Sequence, residues 1–293
     1  MPTRTGQFKI GFRQGWSSWQ KDVDSLAKWA AKTGFEGLDL GGGATIADYA
    51  KLGAHSLALG SVDLLDFGKL MTPDVGVRGA LVEKNIAHVK AAAAAGAGVF
   101  FTCMLPADPA GKRADNYKLA VEAFAPLCEA AAGVGASIVV EGYPGGGPHL
   151  GAIGCTPESV RQLLKDIPAG LSLNFDPSHL VRLGVDPMRF LMEFAPHVRH
   201  CHGKDTELFA DAVYEYGLYQ TPTFGKSHEF GEGVWRYTIP GHGVVPWGRC
   251  FGILKDAGYA GMVCVELEDE NFNGTEAGEK EGLHHSLAYL RSA

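Results

Sequence analysis

Four apolar runs in this chain close on a side chain that can bind a cation: Ser137-Ile-Val-Val-Glu141, Leu171-Ser-Leu-Asn-Phe-Asp176, His197-Val-Arg-His-Cys-His202 and Met262-Val-Cys-Val-Glu266. Short apolar runs bounded by turn residues read as buried strands. A buried strand that ends on an acid or an imidazole aims that group at the mouth of a sheet. After Asp176 come a helix-breaking Pro177 and then His179, so a second metal-competent group stands at the same mouth. Four such ends converge only if neighbouring strands present their termini on one side.

The rest of the chain supplies the helices between strands. Phe8–Phe12 reads as a first strand, and Val23, Leu26, Ala27 and Ala30 follow Asp22 at helical spacing up to Gly34. Gly37–Leu40 and Ser56–Gly60 are the next expected strands, separated by the Gly41–Gly43 loop and a short helical piece from Ile46 to Leu52. A helix from Asp74 to the alanine run Ala91–Ala95 leads to a strand at Val99–Cys103. The next helix, after Asp115, contains Pro126, which is expected to bend it or to mark an irregular turn. Thr156-Pro-Glu-Ser carries the cap and first-turn proline of a helix whose buried stripe is Val160, Leu163, Leu164 and Ile167. Further helices are expected from Asp186 and around Trp247, Phe251 and Leu254, the last closed by Gly258.

About eight strand–helix repeats predict an α/β fold, a (β/α)8 TIM barrel forming one domain over residues 1–293. An open doubly wound sheet would normally carry a Gly-rich phosphate turn after its first strand, and Gly11-Phe-Arg-Gln-Gly15 does not match that pattern. The repeat is interrupted between the seventh and eighth strands. That interval, about 205–244, is rich in aromatics (Phe209, Tyr214, Tyr216, Tyr219, Phe224, Phe230, Trp235, Tyr237) and is expected to be an insertion folded over the active face.

Composition narrows the partners. A chain of 293 residues, 46% hydrophobic, can bury a large core, and a net charge of −7 with no Lys/Arg run argues against nucleic acid. The six cysteines form no CxxC pair and sit largely in apolar runs, so reduced, buried thiols are expected. The stretch from Met1 to Gly6 lacks the apolar core of a signal peptide, and no segment is apolar for long enough to span a bilayer. A cytoplasmic protein without a membrane partner is therefore expected, and a homo-oligomer is left open.

In a barrel of this kind the C-terminal ends of the strands build the active site. Glu141, Asp176, His202 and Glu266 end the fifth to the eighth expected strands. A lone acid at a strand end is as readily a helix cap or an ion-pair partner. Three converging carboxylates without a cation, however, would repel one another. Three oxygens and an imidazole predict one divalent ion, Mn²⁺ first, with Mg²⁺, Co²⁺ or Zn²⁺ as alternatives. Of His200 and His202, read as facing opposite sides of their strand, only one is expected to reach it. Lys204 and Arg236 are candidates for binding substrate oxygens, and Trp16 for stacking on a sugar ring.

Val139-Val-Glu141, Asn174-Phe-Asp-Pro-Ser-His179, His200-Cys-His-Gly-Lys-Asp205 and Gly258-Tyr-Ala-Gly-Met-Val-Cys-Val-Glu266 resemble the successive motifs of the xylose isomerase-like barrel superfamily. That group includes sugar isomerases and epimerases, inosose dehydratases and the endonuclease IV group. The resemblance implies that Glu141, Asp176, His202 and Glu266 hold the metal, that Glu141 and Glu266 also move the proton, and that His179 contacts substrate. The chain departs from the ketose 3-epimerases of the group: its interval before Glu266 is longer, and His149 stands in the loop where those enzymes carry an extra glutamate. Lys204-Asp205, Pro240-Gly-His-Gly243 with Trp247, and Glu266-Leu-Glu-Asp269 are more similar to a branch described as sugar phosphate isomerase/epimerase, which includes lyases acting on oxidised glycosides. The expected activity is isomerisation or epimerisation of a carbohydrate or polyol by proton abstraction next to a carbonyl, through an enediolate. A lyase or dehydratase using the same site is the alternative, and a non-catalytic sugar-binding barrel is a further one.

Overall fold

The computed structural model describes residues 3–41 and 43–293. Met1 and Pro2, part of the N-terminal stretch read above, and Gly42 of the glycine loop lie outside the described residues. The strands are β1 (Lys9–Arg13), β2 (Gly37–Leu40), β3 (Ala58–Asp63), β4 (Val99–Cys103), β5 (Ser137–Glu141), β6 (Leu171–Phe175), β7 (Val198–Gly203), β8 (Asp205–Leu208), β9 (Trp235–Thr238) and β10 (Met262–Val265). The helices are α1 (Val23–Thr33), α2 (Ile46–Ala54), α3 (Val75–Ala94), α4 (Arg113–Ala132), α5 (Pro157–Asp166), α6 (Pro177–Arg182), α7 (Pro187–Phe194), α8 (Ala210–Tyr216), α9 (Trp247–Asp256) and α10 (Glu276–Ser292).

Eight parallel strands close into a barrel with the neighbour order β1-β10-β7-β6-β5-β4-β3-β2. Closure comes from β1, which pairs with β10 through Lys9↔Met262 and with β2 through Gly11↔Gly37. The fold is the (β/α)8 barrel expected from the repeats. Local chemistry explains most element ends. The Asp22 carboxylate accepts from Ser25 N at 2.8 Å to start α1, and Gly34 stops it at φ 100°, where only glycine sits without strain. Pro157 occupies the first turn of α5 behind the Thr156 cap.

Three elements differ from expectation. The third strand runs from Ala58 to Asp63 rather than over Ser56–Gly60, because Gly60 and Ser61 hide the apolar pattern while β2 and β4 supply its hydrogen-bonding partners. Pro126 lies inside α4, which continues as one helix since Ala123, Phe124, Leu127, Cys128 and Ala131 are all buried around it. A short helix, α6, starts immediately behind β6 with Asp176 as its cap. The interval after β7, expected as an insertion, carries regular structure. It forms an antiparallel pair, β8 with β9, in the register Asp205↔Thr238 to Leu208↔Trp235, and packs Val234, Trp235 and Tyr237 against α8.

All six cysteines are buried and unpaired. Among the described residues no helix is long and apolar enough to cross a membrane.

One glycine controls how β6 enters the barrel. Gly170 has φ 73°, and a Cβ there would lie 2.0 Å from the Cys128 carbonyl oxygen of α4. Gly170→Ala is expected to destabilise the protein by about 2–4 kcal/mol, from helix–strand overlap together with backbone strain. Urea denaturation would show it as a lower midpoint at unchanged slope.

Candidate active site and metal centre

Four strand ends bring three carboxylates and one imidazole to a common point. Glu141 is the last residue of β5 and pairs in register with Asn174 of β6, whose Nδ2 donates to Glu141 Oε2 at 2.7 Å. Asp176 divides its carboxylate between two tasks. Oδ1 accepts from Ser178 N at 2.9 Å and Ser178 Oγ at 2.6 Å to cap α6, and the buried Oδ2 has no hydrogen bond. His202 lies in β7, and Glu266 directly follows β10. One ligand atom from each of Glu141, Asp176, His202 and Glu266 falls within 4.8 Å of the other three.

The contacts inside this group are those of donors sharing a centre. His202 Nδ1 is 2.6 Å from Glu141 Oε2 and 3.5 Å from Glu266 Oε2, yet neither ring nitrogen makes a hydrogen bond. Buried polar atoms are normally satisfied, and orphans at Asp176 Oδ2 and His202 Nδ1 mark where a cation fits. Three carboxylate oxygens and one imidazole suit a divalent ion.

The chain's own cations already balance part of this charge. Buried Lys204 lies 2.5 Å from Glu266 Oε2, 2.9 Å from Glu268 Oε2 and 3.3 Å from Asp176 Oδ2, with its Nζ 4.6 Å above the Tyr237 ring. Arg13, at the end of β1, forks onto Asp63 at 2.8 and 2.9 Å and reaches Glu266 Oε1 at 3.3 Å. Burial pushes the Glu266 carboxyl up, but Lys204, His202 and Arg13 together hold it well below the usual range. Glu141 is likewise raised by burial and by Glu266, and is brought down overall by the adjacent His202 ring and by the hydrogen bond of His179. Burial disfavours the charged His202 ring, whereas Glu266 and Glu141 drive its pKa well above 6.5.

A hydrogen-bond chain buttresses Glu141 from the other side. His179 Nε2 lies 3.2 Å from Glu141 Oε1, and Nδ1 lies 2.7 Å from the Tyr237 hydroxyl, whose oxygen accepts from Arg182 Nη1 at 3.1 Å. Donation from Nε2 to the carboxylate leaves Nδ1 to accept from tyrosine.

The family model for the xylose isomerase-like TIM barrel matches residues 10–293. The chain belongs to that family. Among curated proteins it is similar to an inosose dehydratase of Bacillus anthracis (strain CDC 684 / NRRL 3495), 32% identical over 124 residues, 42% of this chain and 39% of that protein. The match thus spans about two fifths of the curated relative's length. Its barrel resembles the 3-keto-D-glucoside 4-epimerase of E. coli, with a TM-score of 0.67 at 14% identity over 97% of this chain and 99% of that one. A xylose isomerase-like barrel from Mycobacterium smegmatis, solved in complex with magnesium, has a TM-score of 0.65 at 17% identity, with 97% of each chain covered. At such identities the structural likeness shows the fold alone.

In this xylose isomerase-like barrel a cavity of about 470 Å³ opens above the cluster. Glu141 and Glu266 line it, while Asp176 and His202 lie beneath its floor. His179 and Lys204 also line it. Trp16 stands at the mouth, 71% exposed, where it borders this cavity and two neighbouring ones. Arg236 does not reach the cavity. Side chains alternate along a strand, so Trp235 and Tyr237 of β9 face inward and Arg236 turns to Glu207 and Asp269. His149 is exposed and outside the lining, to which its loop contributes Tyr143 and Gly146 instead. His200 and His202 share a face, as residues two apart on a strand must, with ring centroids 5.5 Å apart; His200 sits beside Asp39 rather than among the four ligands.

Three residues at the site carried no expectation: Arg13, Asn174 and Arg182. Arg13 ends its strand as Glu141 does, so the rule that found the acids would have found it. Arg182 is one turn beyond His179 on α6. Its role depends on Tyr237, 55 residues away, which no local signal connects to it.

Proposed function

We propose that this chain is an enzyme that binds one divalent ion through Glu141, Asp176, His202 and Glu266 and moves a proton on the carbon next to a carbonyl of a carbohydrate or polyol. The observation that carries the reading is the convergence of those four ligand atoms with Asp176 Oδ2 and His202 Nδ1 left without hydrogen bonds. When bound, the ion draws electron density into the substrate carbonyl oxygen and so acidifies the adjacent C–H.

The chain's residues divide the remaining work. Glu141 and Glu266 are the two of the four that face the cavity, on strands separated by β6 and β7 in the barrel, and we assign them the proton transfers. Both are kept ionised by their neighbours, as a base must be. His179 positions Glu141 and offers a ring edge to substrate, and Lys204 carries a proton at Nζ beside Glu266. Phe101, Tyr143, Trp235 and Tyr237 give the cavity apolar walls suited to the C–H faces of a sugar, and Arg13 and Arg182 add donors for its oxygens. Isomerisation or epimerisation, with Mn²⁺ as the preferred ion, is the primary reading.

Elimination is the second reading, and Lys204 favours it. An ammonium buried at the cavity wall and bonded to Glu266 and Glu268 can give its proton to a departing oxygen.

Candidate keto-sugars and inososes incubated in deuterated water with metal-stripped protein, with and without Mn²⁺, Mg²⁺, Co²⁺ or Zn²⁺, test both. Ion-dependent deuterium incorporation with the carbon skeleton and substituents retained supports isomerisation or epimerisation. Release of water or an aglycone supports elimination. Sugar binding with no exchange at any carbon would replace catalysis by a binding role.

A further inference from the structure

The geometry points to Asp39 as a positioning residue that holds the His202 ring from the side facing away from the metal centre. The inference rests on the metal reading proposed above.

Asp39 lies in β2, which is separated from β7 by β1 and β10, so its fully buried carboxylate meets His202 across the barrel interior. Its Oδ1 accepts from Ser61 N at 2.6 Å. Its Oδ2 is 2.9 Å from His200 Nε2 and 3.5 Å from His202 Nε2. The sheet makes room for it: a Cβ on Gly60 would stand 2.1 Å from Asp39 Oδ1. Asp39, His200 and Cys264 form a tight buried group one layer below the ligands, and in it Asp39 is already bonded to His200.

His202 turns Nδ1 toward Glu141 and Glu266 and Nε2 toward Asp39. A ring that ligates through Nδ1 carries its hydrogen on Nε2, and a buried N–H requires an acceptor. Nε2 has no hydrogen bond within the described residues, and the Asp39 carboxylate is the group poised to supply one. Phe101 stacks on the ring with centroids 5.2 Å apart and planes 28° from parallel, leaving rotation within the plane to be fixed by the two nitrogens. Asp39 thereby sets which nitrogen faces the ligand cluster and increases its donor strength.

The test is Mn²⁺ titration of the metal-stripped full chain by calorimetry, as wild type and as Asp39→Asn, with urea unfolding of both. Asp39→Asn is expected to weaken Mn²⁺ binding about 10- to 100-fold while cooperative unfolding persists. Asp39→Glu should recover part of the loss. A second readout needs no variant: in wild-type protein labelled with ¹⁵N-histidine, Mg²⁺ should bring out a downfield, slowly exchanging His202 Nε2–H signal. Wild-type binding with an Asp39→Asn affinity within about twofold of it, or a Mg²⁺-loaded His202 that carries its hydrogen on Nδ1, would overturn the role of Asp39 alone. Wild-type protein that binds no divalent ion would overturn the metal reading and this inference together. Binding of two ions per chain would also overturn it, because Asp39, His200 and Cys264 would then be ligands in their own right.

Discussion

Glu266→Gln and Glu141→Gln should each lower ion-dependent proton exchange on the accepted substrate by about 10²–10⁴-fold, the range a positioned general base contributes. Each glutamate faces the cavity, and each also belongs to the four-ligand cluster, so a loss of activity has two causes to separate. Gln keeps one oxygen that can ligate but loses the basic carboxylate. Bound metal, measured on the same samples by elemental analysis, therefore divides the effects. Loss of exchange at near-normal metal content identifies a proton carrier, whereas parallel loss of both identifies a ligand only. Exchange within a few fold of wild type in either variant would show that the pair has been misassigned.

Lys204→Met is expected to destabilise the metal-free protein by about 3–5 kcal/mol, the usual result of removing one member of a buried ion-pair network. Methionine fills much of the same volume, so the charge rather than the packing is tested. Without the ammonium, Asp176, Glu266 and Glu268 are left facing one another across the space it held. A divalent ion supplies positive charge at the same carboxylates, so added Mn²⁺ should stabilise the variant more than it stabilises wild type.

The pH dependence should also weaken. In wild type, Glu141 and Glu266 titrate below their ordinary value of 4.5, so their contribution is present above that pH and is lost as the pH falls through their folded values. In Lys204→Met the strongest charge holding the Glu266 carboxyl down is gone, so its folded value moves up toward 4.5 and less stability is lost as the pH falls. Urea midpoints between pH 4 and 7 would show the two slopes. Equal midpoints for variant and wild type without metal would mean that the Lys204 network contributes nothing to the fold.

How much was legible along the chain follows from the range of each signal. The strands ending on Glu141, Asp176, His202 and Glu266 could be read because an apolar run and its final polar residue lie within six positions, and the barrel follows from their repetition. Helix α6 escaped notice because its six residues are too few for a periodic stripe. The error over Arg236 had a different source. It lies in the segment expected as an insertion over the active face, where no strand was assigned, so its facing was undefined until β9 paired with β8. Arg13 was overlooked although its place at a strand end made it readable.

By itself, the sequence determined the alternation of strand and helix, the family motifs, and the acids and imidazole that end successive strands, since these depend on spacing within one element. Tertiary structure alone decided which of those four face substrate and what holds them. The Asp39–His200 contact spans 161 residues, and the His179–Tyr237 contact 58. Contacts of that range leave no periodicity in a single chain. They arise only when closure of the barrel stacks side chains from different strands into layers, placing Glu141 and Glu266 at the cavity and His202 and Asp39 beneath it.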